Sequence, residues 1–176
     1  MTRTLRLATA TDDPAMRVLM NRAIAALLKP YMPPEGVAAS FEVMGIDTQL
    51  IADGTYFVVT ENDAIVGCGG WSRRATLFGG DHTKGRDAAL LDSTQDAARV
   101  RAMYTDPVHV RRGIGRMILD ACEDAALREG FTRVELAATL AGAPLYRAYG
   151  FEPIEPMTSR TRTSVEVPLL RMGKRI

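Results

Sequence analysis

The sequence contains few of the residues that build disulfide frameworks and metal centres. Cysteine occurs only at positions 68 and 122, and histidine only at positions 82 and 109. Two cysteines this far apart do not make a disulfide framework, and the four residues together do not have the spacing of zinc ligands. We therefore expect no metal site, and a reducing compartment, the cytoplasm, is the expected location.

Long apolar runs and an excess of one charge are also missing. No run approaches the length of a membrane-spanning helix, and the first residues lack the apolar core of a signal peptide. The 22 basic and 21 acidic residues leave a net charge of +1, so the overall charge favours neither nucleic acid nor a membrane surface as a partner. The 176 residues are expected to form one soluble domain, residues 1–176, with an ample core.

One well-marked stretch lies between Val100 and Arg128. Its second half repeats apolar residues at helical spacing, with charged residues on the opposite face. Gly130 provides a stop signal after the last turn. The pattern predicts a helix from Gly113 to Glu129.

The start of this helix is rich in glycine and arginine. A helix N-terminus offers unpaired N–H groups and partial positive charge, glycine lets a phosphate approach the backbone, and guanidinium groups suit phosphate. The alternative interpretation is a helix start that contains two glycines without any ligand. We predict a pyrophosphate-binding site made by Arg111, Arg112, Gly113, Ile114, Gly115 and Arg116.

Two better-known phosphate motifs do not fit this stretch. A P-loop requires Lys and then Ser or Thr after its last glycine, where this chain has Arg116 and Met117. A dinucleotide fingerprint requires a third glycine at the position of Ile118. The sequence therefore favours a phosphate-binding site at 111–116, called the cradle below, that is neither a P-loop nor a dinucleotide fingerprint.

Two segments together resemble the GNAT superfamily of acyl-CoA-dependent N-acetyltransferases. The run from Met103 to Pro107, followed by 111–116, is similar to the family's acetyl-CoA-binding motif, Gln/Arg-x-x-Gly-x-Gly/Ala, although the Gln/Arg position falls on Val110. The run from Leu140 to Phe151 resembles the family's later Tyr-x-x-x-Gly-Phe segment. The spacing between the two segments is also that of the family.

The resemblance implies an α/β fold with a mixed, mostly antiparallel sheet, a central parallel β-α-β splay and flanking helices. The residue patterns predict strands at 4–8, 56–61, 64–72, 98–105, 131–138, from 151 onward and at 163–172, and helices at 15–28, 35–44, 113–129 and 142–149. The glycines at 67, 69 and 70 suggest a bulge or a close backbone approach. Residues 73–97 are predicted to be an irregular loop that borders the acceptor site.

The resemblance also implies a reaction, with acetyl-CoA as co-substrate and an amine as acceptor. The backbone of Met103, Tyr104 and Thr105 would pair with the pantetheine arm, and Tyr146 would be the general acid for the leaving thiolate. A phenol with a pKa of ~10 and a thiol with one of ~8.5 are close enough for proton transfer. The general base stays open, and the candidates are Glu42, Asp81, His82, Glu135 or a water molecule.

The acceptor also stays open. We predict direct attack in a ternary complex by a primary amine of a small molecule. The alternatives are a protein N-terminal or lysine acetyltransferase and a non-catalytic CoA-binding regulatory module. A small-molecule site should be roofed by residues 73–97, whereas a peptide cleft should be open. Arginines near the acceptor side would favour an amine that carries a carboxylate or phosphate, and these are Arg73, Arg74, Arg99 and Arg101.

Two further expectations come from the family. Its first helices form one wall of the acceptor site, and members are often dimers, so the last strand could pair between two chains of a homodimer. The candidate residues from these first helices are Tyr31, Met32, Phe41 and Met44.

Overall fold

The computed structural model describes residues 2–176, and one seven-stranded sheet runs through it. The strands are β1 (Arg3–Leu7), β2 (Tyr56–Glu61), β3 (Ala64–Ser72), β4 (Ala98–Thr105), β5 (Arg133–Ala138), β6 (Glu152–Arg160) and β7 (Glu166–Arg175). The helices are α1 (Asp13–Leu27), α2 (Pro34–Val43), α3 (Thr48–Ala52), α4 (Ile114–Arg128) and α5 (Ala143–Tyr149). Short 3-10 turns span Ala10–Asp12 and Pro107–His109.

The sheet has the order β1-β2-β3-β4-β5-β7-β6, and every neighbouring pair except β4–β5 is antiparallel. Helix α4 connects the parallel pair, which is bonded only at Ala98–Val134 and Arg99–Glu135. Beyond these positions β4 stays with β3, and β5 stays with β7. The mixed sheet with a central parallel splay, predicted from the sequence, is confirmed.

Helices cover both faces of the sheet. Along β2 the side chains alternate, so Val59 joins a core formed with α4 and α5, while Val58 joins a core formed with α1 and α3. A third cluster joins α2 to β7 through Val43 and Leu169. The opening between β4 and β5 therefore has different helices on its two sides.

The structure departs from the sequence prediction at α3 and at the last two strands. Helix α3 was not predicted, because five residues are too few to show a period; the Asp47 side chain caps it by accepting from the Gln49 N–H. Strand β6 continues to Arg160 despite Pro153 and Pro156, since an edge strand tolerates proline.

Strand β7 does not provide an edge for a second chain. It lies between β5 and β6, so both of its sides are already paired. The predicted pairing of the last strand between two chains is therefore wrong, whereas a homodimer by another surface stays a prediction.

The structure also bears on the cysteines, on metal ligands and on membrane-spanning helices, which the sequence analysis considered. Cys68 and Cys122 are free and buried, and burial raises the pKa of the Cys68 thiol to about 12. Within residues 2–176, no three His, Cys, Asp or Glu side chains come together as metal ligands. No helix in that part of the chain has the length and hydropathy needed to cross a membrane.

Candidate active site

The opening between β4 and β5 forms a cleft of about 100 Å³. On one side it is lined by β4, β5 and the start of α5, and on the other by the end of α2, the 73–97 loop and β7. The lining residues used below are Val43, Met44, Leu77, Phe78, Gly79, Arg101, Ala102, Met103, Tyr104, Leu136, Ala137, Thr139, Gly142, Tyr146 and Leu169.

A β-bulge in β4 shapes this cleft. Tyr104 pairs with Cys68 and Arg101 with Gly70, so β4 carries one residue more than β3 between these pairs. The extra residue puts Ala102 in the left-handed region, with a φ of 49°. The side chain of fully buried Tyr56 donates a hydrogen bond of 2.9 Å to the Ala102 carbonyl and holds the bulge.

The bulge reverses which side chains face which helix. Before it, Val100 packs toward α4; after it, Met103 does so, while Tyr104 turns toward α1 and donates from its hydroxyl to the Gly45 carbonyl at 3.0 Å. A Cβ on Gly69 would collide with the Met103 sulfur. The predicted bulge and close backbone approach near these glycines are confirmed.

The predicted phosphate cradle lies at the start of α4. Gly113 has a φ of 82°, which disfavours any other residue, and a Cβ there would meet no atom within 4 Å. The backbone N–H groups from Gly113 to Arg116 find no acceptor within residues 2–176. The guanidinium groups of Arg111, Arg112 and Arg116 are exposed and have no acidic partner in that range. The first turn therefore presents donors and positive charge to solvent.

Gly115 also lies against helix α5. A Cβ at this position would lie 2.6 Å from the Leu145 side chain of α5. The absence of a side chain at Gly115 lets α4 and α5 pack closely, and the close approach of a phosphate is not needed to explain it.

Sequence reasoning missed a support beneath the cradle. The Arg3 guanidinium donates to the Arg112 carbonyl and to Glu61, both at 2.7 Å. Because Arg3 and Arg112 are 109 positions apart, no local pattern reveals this contact. Asp106 was also missed, although Asp before Pro is a helix-cap signal; its carboxylate accepts from the Val108 N–H at 3.0 Å and pairs with Arg22.

The other predicted cofactor residues lie along β4. Met103 and Tyr104 line the cleft, whereas Thr105 lies just beyond it, opposite Gly67 of β3. Thr139 accepts a 3.1 Å hydrogen bond from the Gly142 N–H. Its hydroxyl thus supports the start of α5.

Tyr146 lies where the cleft meets α5. It is 8% exposed and packs edge-to-face on Phe151, with the ring centres 5.8 Å apart. Burial raises the pKa of the Tyr146 phenol, and the nearby Cys122 raises it further. The phenol is therefore protonated at any working pH and can donate a hydrogen bond into the cleft. Tyr149, three residues on, is only half-buried and donates to Asp120 at 2.6 Å.

None of the four candidate bases lines the cleft. Glu135 is held by Arg99 and Arg171, and Asp81 by Thr48 and Arg17. Glu42 accepts from the Arg162 backbone, and His82 contacts the Glu42 carbonyl. These groups have structural partners, and a water molecule is left as the candidate base.

The four arginines expected near the acceptor are all paired with acids. Arg73 pairs with Glu129, Arg74 with Asp53 and Arg99 with Glu135, and none of these three lines the cleft. Arg101 does, but it is 3% exposed and donates to Asp47 at 3.0 Å and to the Gly79 carbonyl at 2.8 Å. The expected free positive charge is therefore absent from this side of the described cleft.

Residues 73–97 have no helix or strand, as predicted, and part of this loop lines the cleft. This lining segment, called the roof below, is Leu77, Phe78 and Gly79, while Arg74 and Leu90 bridge at the base of the loop. Four residues were predicted to line the part of the acceptor site made by the first helices: Tyr31, Met32, Phe41 and Met44. Of these four, only Met44 lines the cleft.

Comparison with known proteins places these features in a family. A family model described as "Acetyltransferase (GNAT) domain" matches residues 52–153, a range that contains the cradle, the splay and Tyr146. The chain belongs to the GNAT acetyltransferase family. The GNAT resemblance seen in the two sequence segments is thereby confirmed.

This GNAT chain is similar to other proteins at low sequence identity. It is 22% identical over 150 residues to the uncharacterized N-acetyltransferase YsnE of Bacillus subtilis strain 168, covering 78% of this chain and 84% of the relative. A GCN5-related N-acetyltransferase structure from Rhodopseudomonas palustris superposes with a TM-score of 0.72 at 17% identity, covering 100% and 97% of the two chains. PaiA N-acetyltransferase from Thermoplasma acidophilum, solved in complex with coenzyme A, gives 0.67 at 11%, with full coverage of both chains.

Proposed function

We propose that this chain transfers an acetyl group from acetyl-CoA to a primary amine of a small molecule, by direct attack in a ternary complex. The observation that carries the proposal is that two features occur together in the β4-α4-β5 unit. One is a helix start whose N–H groups are unpaired among residues 2–176, and the other is a cleft between the splayed strands that is lined by Tyr146. The family and the coenzyme A complex of PaiA support acetyl-CoA as the co-substrate.

The first turn of α4 binds the pyrophosphate in this proposal. The N–H groups from Gly113 to Arg116 donate to phosphate oxygens, and the partial charge of the helix N-terminus favours the anion. Arg111, Arg112 and Arg116 add charge from the rim. A phosphate gains most where donors already lack partners, as they do in this turn.

The splay receives the pantetheine arm. Beyond Glu135 the edge of β5 that faces β4 is unpaired, and Met103 lies just after the bulge on the other strand. A backbone N–H near the bulge can also donate to the thioester oxygen as negative charge develops there. Thr105 would extend the same row of backbone groups.

Tyr146 holds a proton at its phenol oxygen for the leaving sulfur. The amine nitrogen forms the new C–N bond, the C–S bond breaks, and the proton moves from Tyr146 to the thiolate. The amine gives its proton to water, and the phenol regains one from solvent, so charge and atoms balance. The raised pKa of Tyr146 keeps this oxygen protonated, but it also makes the phenol a weaker acid, so a hydrogen bond from the phenol to the developing thiolate precedes the transfer.

The covered cleft favours a small molecule over a peptide. Leu77, Phe78 and Gly79 close one side of it, and a peptide backbone would have to displace them. The roof is held from below by Arg101, which donates to the carbonyls of Thr76 and Gly79.

Tyr146→Phe tests the catalytic part of the proposal. We expect the turnover measured by thiol release to fall about 100-fold, since loss of a general acid typically costs that much. Calorimetry should show acetyl-CoA affinity within about twofold of the parent, because the phosphate contacts are untouched.

Tyr149→Phe is the matched control, since it removes a hydroxyl from the same helix but keeps the ring that lies 5.5 Å from Arg116. It should turn over at the parent rate. Equal losses in both variants would contradict the role of Tyr146, and failure of the parent to bind acetyl-CoA would overturn the whole proposal.

A further inference from the structure

We infer that the amine acceptor carries an apolar, uncharged group, recognised by the side of the cleft opposite Tyr146. This inference rests on the proposed function and names its substrate class. The acceptor wall is defined here as Val43, Met44, Leu77, Phe78 and Leu169.

The acceptor wall is apolar, and three of its five residues belong to one packed cluster or lie against it. Val43 of α2 and Leu169 of β7 are 4% and 5% exposed and belong to one cluster. Phe78 packs against that cluster and is half-buried. Leu77 and Met44 are likewise half-buried at the cleft. An alkyl or aromatic group that packs on this wall would remove apolar surface of the acceptor and of the wall from water, which favours binding.

The described lining of the cleft contains no acidic side chain. A second ammonium group on the acceptor would lose its hydration without gaining a partner, which is unfavourable. Two acids adjoin the lining residues, Asp47 through its contact with Arg101 and Glu42 as the neighbour of Val43 in the chain, and both already have partners. Asp47 is held by Arg101 and Arg86, and Glu42 by Arg162.

A carboxylate or phosphate on the acceptor also lacks a partner. The one cationic side chain among the described lining residues is Arg101. It is 3% exposed, and its two terminal nitrogens donate to Asp47 and to the carbonyls of Thr76 and Gly79. Recruiting this guanidinium would break contacts that hold the roof. Both kinds of charged acceptor are therefore disfavoured, and a hydrocarbon body is what remains.

The test uses three primary amines of equal chain length that differ only at the far end: hexylamine, 1,6-diaminohexane and 6-aminohexanoate. Thiol release from acetyl-CoA gives kcat/KM for each. We expect hexylamine to exceed both charged amines about tenfold or more, since an unpaired charge at a buried site is costly. Calorimetry with acetyl-CoA alone is run on the same protein sample.

The outcomes separate this inference from the function on which it rests. Absence of acetyl-CoA binding would overturn the proposed function. Binding of acetyl-CoA with equal or better turnover of a charged amine would overturn only the inference, as would turnover of none of the three. Faster turnover of a peptide N-terminus than of hexylamine would do the same.

A single substitution tests the wall itself. Phe78→Glu places an acid where an acceptor's far end would lie, so the ratio of kcat/KM for 1,6-diaminohexane to that for hexylamine should rise about tenfold. Phe41→Glu is the matched control, because Phe41 lies on α2, is 36% exposed and does not line the cleft. The control should leave the ratio unchanged, and a ratio that also stays unchanged in Phe78→Glu would overturn the assignment of the wall.

Discussion

The two ends of the cleft are built in opposite ways. The proposed cradle is made by six consecutive residues, 111–116; its N–H groups from Gly113 to Arg116 find no acceptor, and its arginines no acid, among residues 2–176. The acceptor wall brings together α2, the 73–97 loop and β7, and the charged groups around it are paired. One end can therefore hold the anion common to all CoA esters, whereas the other can hold whatever its particular side chains fit.

The largest effect should come from disrupting the cradle. Gly113→Glu puts a side chain at a φ of 82° and a negative charge beside the phosphate site. We expect acetyl-CoA affinity measured by calorimetry to fall about 100-fold, or about 2.7 kcal/mol.

Gly54→Glu is the control for strain in that experiment. Gly54 also has a positive φ, 69°, and open space around its Cβ position, but it follows α3, far along the chain from the cradle. Its affinity should match that of the parent. Equal losses in both variants would show that strain, and not the cradle, lowers the affinity.

The next effect should come from the roof, which depends on a buried ion pair. Asp47→Asn keeps the shape of the side chain but leaves Arg101 without its counter-charge. We expect the free energy of unfolding in urea to fall by about 2 kcal/mol. The KM for hexylamine should rise while acetyl-CoA affinity stays within about twofold, because the roof belongs to the acceptor side. A loss of acetyl-CoA affinity instead would show that the two ends are coupled.

The pH profile should reflect the acceptor and not the cleft. An alkylamine has a pKa of ~10.4, so its neutral fraction, and with it kcat/KM, should rise about tenfold per unit between about pH 7 and about pH 9. Burial raises the pKa of Tyr146, so its acid form persists over this whole range. A fall in kcat/KM before about pH 9 would contradict that role of Tyr146.

The smallest effect should separate the two glycines of the cradle motif. Gly115→Ala forces the Leu145 side chain to move, and we expect it to lower the free energy of unfolding by about 1 kcal/mol. Acetyl-CoA affinity should change by less than about threefold. Adding Leu145→Ala should remove the clash, so a double-mutant cycle in urea gives the coupling. A large loss of affinity without loss of stability would instead show that Gly115 faces the phosphate.

The central part of the fold could be predicted because its signals are local. The alternation that marks β4 predicted its bounds, Ala98–Thr105, and the apolar period of α4 predicted that helix to within one residue at each end. Tyr146 was found through its motif, and the structure does place it at the cleft. Periodicity and sequence motifs can both be recognised in a single sequence, because each depends only on residues that are close together in the chain.

The rest depends on contacts between distant residues. Nothing near Phe78 indicates that it will meet Leu169, 91 positions later, and nothing near Arg101 indicates that it will pair with Asp47. For the same reason the four candidate bases were chosen by residue type, and the structure finds other partners for them. Sequence alone thus located the helix start that is proposed as the cradle, and it missed most of the side chains that are proposed as the acceptor wall.

The base of the roof loop has a consequence for how this fold can change. The Leu91 N–H donates to the Arg73 carbonyl, and the Ala75 N–H to the Ala89 carbonyl, so the two ends of the loop are tied together. Residues between these ties can be lengthened, shortened or replaced while β3 and β4 keep their register. Exchange of this one surface segment can thus change the acceptor while the proposed CoA site is left intact.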